Sequence, residues 1–99
     1  MGSDSLMNCG KLPRVNKYEE LRTRVLQGKS DANINFRDLC QLLLWLGFEE
    51  RIRGSHHIFR KDGVRELVNL QEAGNKAKVY QVRQVRQTIL RYGLDKEKA

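Results

Sequence analysis

Apolar residues recur at three- and four-residue spacing in three stretches of this chain, and alternate with polar residues in the region between the last two. Tyr18, Leu21 and Val25 form the first stripe, which predicts a helix over Lys17–Gln27. Asn16 is placed to cap it, with Glu19 in the capping-box position, and Gly28 ends it. Gly28 to Asn33 is rich in turn formers and reads as a connector. Phe36, Leu39, Cys40, Leu43 and Leu46 form the strongest stripe, predicting a helix over Asn35–Leu46 capped by Asn35 or Asn33. Leu42, Leu44 and Trp45 widen its apolar arc, so more than one side needs covering. Gly47 follows as a helix stop, with Phe48 folding back onto the last turn.

The period then changes to two. Phe48, Glu50 and Ile52 alternate with Glu49, Arg51 and Arg53, which predicts a strand, and His56 to Lys61 reads as a second. Asp62-Gly63 is a hairpin signal leading to a third strand, Arg65 to Leu70. The loop Gln71 to Ala77 offers no large apolar residue. A last helix from Lys78 to Tyr92 carries Val79, Val82, Val85, Ile89 and Tyr92 on one face, closed by Gly93 and Leu94. The order is helix, helix, three antiparallel strands, helix, an α+β arrangement in which the helices at Asn35–Leu46 and Lys78–Tyr92 cover one face of the sheet. The chain divides into a disordered arm or appended residues (1–15), a helix and connector (16–33), the main domain (34–94) and a frayed tail (95–99).

Composition narrows the partners. Ninety-nine residues suit one domain with a modest core. Nineteen Lys and Arg against twelve Asp and Glu give a net charge of +7, which favours polyanions: RNA, DNA or an acidic protein. Leu42 to Leu46 is the longest apolar run and is far too short to span a membrane. Met1 to Gly10 is polar and lacks the apolar segment of a secretory signal, so a cytoplasmic location is expected. Cys9 and Cys40 match no zinc spacing, and Cys40 is expected to act as a buried packing residue.

Both histidines stand together in Gly54-Ser55-His56-His57-Ile58-Phe59-Arg60-Lys61. An imidazole can take and give a proton near neutral pH, and the flanking Arg53, Arg60 and Lys61 are groups that attract phosphate. RNA can be cut by its own 2′-hydroxyl once a base removes that proton and cations stabilise the charge growing on the phosphoryl oxygens. Gly54 and Ser55 can offer backbone N–H groups, and Ser55 its hydroxyl, to a phosphate. Lys76 and Lys78 lie beside the N-terminus of the last helix, where the dipole adds to their charge. Strand alternation separates the histidines. If Phe59 points into the core, His57 and Lys61 share its side and His56 and Arg60 occupy the open face; if Ile58 points inward the assignment reverses. The larger aromatic is the better core anchor. Metal binding by His56 and His57 is not expected, because neighbouring strand residues face opposite ways and no carboxylate or thiol completes a set. No cofactor is expected.

The motif Gly47-Phe48 followed by Gly54 to Arg60, with the Asp62-Gly63 turn and the Tyr92-Gly93-Leu94 ending, resembles the HicA toxin family over roughly Phe36 to Leu94. The resemblance implies a double-stranded-RNA-binding-like fold of helix, three strands and helix. It also implies cleavage of mRNA without a metal, using the first histidine of the Gly-Ser-His motif, here His56, and control by a HicB-like antitoxin. Apart from the resemblance, their charge and hydrogen-bonding groups give Arg53, Gly54, Ser55, His57, Arg60, Lys61, Lys76 and Lys78 supporting roles toward RNA. Two features depart from the family pattern. Gln71 to Lys76 stands where many members carry a segment with Pro and His, and the helix Lys17–Gln27 is additional, open to roles in packing, gating or dimer formation. The competing reading is a non-catalytic RNA-binding or partner-binding module of the same shape.

Overall fold

The computed structural model describes residues 17–95. The arm 1–15, the proposed cap Asn16 and residues 96–99 lie outside the described residues. Helix α1 spans Lys17–Gln27, a 3-10 turn follows at Asp31–Asn33, and helix α2 spans Phe36–Trp45. Strands β1 (Glu49–Arg53), β2 (His56–Arg60) and β3 (Val68–Gln71) form one antiparallel sheet with β2 in the centre, and helix α3 spans Val79–Arg91. The expected α+β order is present, with a short 3-10 turn added inside the connector.

Local chemistry explains the boundaries. The Asn35 side chain accepts the N–H groups of Arg37 and Asp38, which have no partner inside the first turn of α2. At the other end, the Gly47 N–H donates to Leu44 O and the Phe48 N–H to Leu43 O, both at 3.0 Å. This paired ending needs a positive φ, which Gly47 supplies at +104°. The turn turns Phe48 back into the core, where it is buried.

One core joins the helices to β2 and β3: Leu39, Leu42 and Leu43 of α2, Phe59 of β2, Val68 and Leu70 of β3, and Val82, Val85 and Ile89 of α3 are fully buried. Helix α1 lies against α2 and α3, with Leu21 and Val25 buried in the same core. Tyr18 stacks on Trp45, and Arg22 spreads its guanidinium over the same ring while donating to Leu94 O. Arg86 of α3 donates to Val25 O and holds both carboxylate oxygens of Asp31. The additional helix is therefore a packed part of the domain.

The third strand corrects the expected boundaries. Asp62-Gly63 does occupy the centre of a turn, closed by the Val64 N–H on Lys61 O, but pairing with β2 resumes only at Val68 instead of Arg65. Arg65 and Glu66 turn to α3: the Arg65 N–H and both Glu66 carboxylate oxygens are engaged by Tyr92 and Arg91. Among the described residues, no helix is long and apolar enough to cross a membrane.

Candidate active site

Phe59 settles the orientation of the histidine strand. It is completely buried, so the alternation of β2 sends His57 to the core side and leaves His56 and Arg60 on the open face. Residues paired across strands share a face, and His56 therefore stands between Arg53 on β1 and Gln71 on β3. Arg51, two residues from Arg53, joins the same face, as does Asn69. Arg51 and Arg53 are exposed and form no ion pair among the described residues. Gly54-Ser55 makes the two-residue turn between β1 and β2, with Gly54 at φ +59°. Ser55 is exposed, and its carbonyl accepts the Glu72 N–H.

The other expected residues fall elsewhere. Arg60 shares the open face but lies four residues along β2 from His56, roughly 13 Å away at the rise of a strand. It pairs there with Glu49 and Asp62, at 3.7 and 3.8 Å. Lys61 is half-buried at that same far end, against Gly47, where a Cβ would come within 2.6 Å of its Nζ. The basic flank read along the sequence is thus split between the two ends of the sheet. Lys76 and Lys78 are exposed on the segment that leaves β3 next to His56; the Lys76 backbone bridges to Asn35, and the Lys78 N–H donates to Gln81 Oε1. Sequence reasoning passed over Arg51, although its parity with Arg53 marks it, and Gln71, which only the β2–β3 register brings to His56.

His57 belongs to a different environment. Its Nδ1–H donates to Glu50 Oε2 at 2.7 Å, its Nε2 lies 3.8 Å from Glu72 Oε1, and the edge of its ring meets Phe36. Cys40 of α2 completes the group: one ligand atom each from Cys40, Glu50 and His57 lie within 4.8 Å of one another. This overturns the expectation that no thiol or carboxylate accompanies the histidines. Carboxylate and thiol are both present around His57, brought in by β1 and α2. Burial, reinforced by Glu50 and Glu72 and opposed by Arg37, pushes the Cys40 thiol up to about 12, so it stays protonated and is a poor nucleophile. These groups line a cavity of about 260 Å³ together with Phe36, Arg37 and Ile52. Ile52 is 57% exposed although it points to the helix side, because the helix layer leaves this corner of the sheet uncovered.

A three-stranded antiparallel sheet with α2 and α3 on one face, and a histidine beside two unpaired arginines on the other, defines an α+β protein of helix-strand-strand-strand-helix order. Residues 36–91 match the family model described as the HicA toxin of bacterial toxin-antitoxin systems. The match covers more than half of the chain, and the protein belongs to that family, as the toxin of a toxin–antitoxin pair. Helix α1 lies outside the matched residues. No curated protein and no solved structure gives a significant match.

Proposed function

We propose that this toxin is an endoribonuclease that cuts mRNA without a metal ion in the reaction, with His56 as the catalytic base, and that a HicB-like antitoxin holds it in check. The observation that carries this reading is the place of His56. It is solvent-facing on the open side of the sheet, with the unpaired Arg53 beside it on one strand and Gln71 on the other. The RNA backbone lies across this face. His56 takes the proton of a 2′-hydroxyl, the 2′-oxygen bonds to the adjacent phosphorus, and the bond to the 5′-oxygen breaks. The products are a 2′,3′-cyclic phosphate and a 5′-hydroxyl, with solvent water supplying the proton to the leaving oxygen. Arg53 and Arg51 oppose the charge that grows on the phosphoryl oxygens, and the N–H groups of Gly54 and Ser55 extend that donor set. Arg60, Lys61, Lys76 and Lys78 serve the RNA strand farther from the reacting phosphate.

The test is cleavage of mRNA by the purified toxin in the presence of a chelator. His56→Ala is expected to lower the rate by at least about 10²-fold, with an unchanged circular dichroism spectrum. Cleavage that survives in His56→Ala, or that requires added magnesium, overturns the mechanism. The non-catalytic alternative predicts salt-sensitive RNA binding with no cleavage by the unaltered protein.

A further inference from the structure

The cleavage reading leaves unused the cavity on the opposite side of the sheet from His56. Its donors come from four separate segments: Cys40 from α2, Glu50 from β1, His57 from β2 and Glu72 from the stretch after β3. Apolar packing does not account for Glu50, His57 or Glu72, and two carboxylates facing one imidazole and one thiol create a negative field. Arg37 is the only Lys or Arg among the lining residues. An RNA phosphate would be repelled here. A cation would be held.

We infer that Cys40, Glu50 and His57 form a binding site for a divalent metal ion of the zinc class, with Glu72 as the fourth ligand. The donor set is one sulfur, one nitrogen and carboxylate oxygen, the mixture that zinc prefers over calcium or magnesium. Tetrahedral zinc, with bonds of about 2.0–2.3 Å, sets its ligand atoms about 3.3–3.8 Å apart. The three central donors already lie within 4.8 Å of one another, and Glu72 Oε1 is 3.8 Å from His57 Nε2. Closing the longer of these separations by about an ångström brings the donors to tetrahedral spacing. The Glu50 and His57 side chains are only 20% and 14% exposed, so little motion is lost on binding. Glu72, at 43%, is the mobile ligand on the open side through which an ion enters. As the ion binds, the Cys40 thiol releases its proton to solvent and ligates as the thiolate. The ion then ties α2 to β1, β2 and the stretch after β3, and fixes the strand that carries His56 on its other face. It takes no part in bond cleavage.

The experiment is a titration of the full chain with Co²⁺ and then Zn²⁺, repeated in a Cys9→Ser background so that only one thiol can respond. One equivalent of Co²⁺ is expected to produce a thiolate-to-cobalt charge-transfer band and tetrahedral ligand-field bands, both erased by Zn²⁺. Cys40→Ser should abolish the charge-transfer band, and Glu50→Gln should weaken Zn²⁺ binding at least 10-fold, each with a native far-ultraviolet spectrum. Zinc should raise the melting temperature of the unaltered chain by roughly 5 °C or more, and that of Cys40→Ser by much less. Absence of the band and of the thermal shift, or a band that persists in Cys40→Ser, overturns the inference. Because Cys40→Ser is expected to cleave RNA at the normal rate below its melting temperature, failure here is distinguishable from failure of the cleavage reading.

Discussion

Phe59 decides which histidine meets solvent, because its burial locks the parity of a strand whose neighbours must then face the other way. Removing the ring should leave a cavity between β2 and the helices. Phe59→Ala is expected to cost about 3–5 kcal/mol in urea unfolding, whereas Ile58→Ala, half-exposed on the open face, should cost less than about 1.5 kcal/mol. Comparable losses would mean that the two faces of β2 are not distinguished as the geometry requires. The same parity divides the two histidines by chemistry. One stands among cations, and the other is hydrogen-bonded to a carboxylate beside a buried thiol.

At the scale of the element, the β1–β2 hairpin is the unit that concentrates charge. Its two-residue turn brings Arg53 opposite His56, and the pleat adds Arg51 on the same side. Arg60, at the other end of β2, has carboxylate neighbours. Neutralising Arg51 and Arg53 together should therefore weaken binding of single-stranded RNA more than neutralising Arg60. In an affinity series against salt concentration, Arg51→Ala with Arg53→Ala should flatten the log–log slope by about 1.4, the contribution of two phosphate contacts. Arg60→Ala should flatten it by less than about 0.7, the contribution of one full contact, because Glu49 and Asp62 already offset that charge. The opposite ranking would place the RNA path at the far end of the sheet.

For the molecule as a whole, α1 and the connector are fastened by a charged link that spans most of the chain. Arg86 joins α3 to the C-terminal turn of α1 and to Asp31, and both side chains are largely buried, at 20% and 13% exposure. Arg86→Ala leaves the largely buried Asp31 carboxylate without its partner, and is expected to destabilise the fold by about 2–3 kcal/mol in denaturant unfolding. Arg83→Ala, on the exposed side of the same helix, should stay within about 0.5 kcal/mol. Equal effects would mean that α1 is not part of the cooperative unit.

Periodicity by itself determined the elements, because a helix or strand must repeat its apolar face at its own spacing to bury it. The bounds of α1, the Asn35 cap, the Gly47-Phe48 ending and the apolar face of α3 follow from local rules that act over a few residues. The Gly-Ser-His-His motif was equally legible, and the size of Phe59 was enough to orient it. What the sequence could not decide depends on which distant segments meet. The start of β3 moved to Val68 because Tyr92 and Arg91 of α3 take hold of residues 65 and 66. Gln71 reaches His56 only through the β2–β3 register. Cys40, Glu50, His57 and Glu72 are separated by up to thirty-two positions along the chain, so no spacing rule links them, and only the packing of α2 under the sheet makes them neighbours.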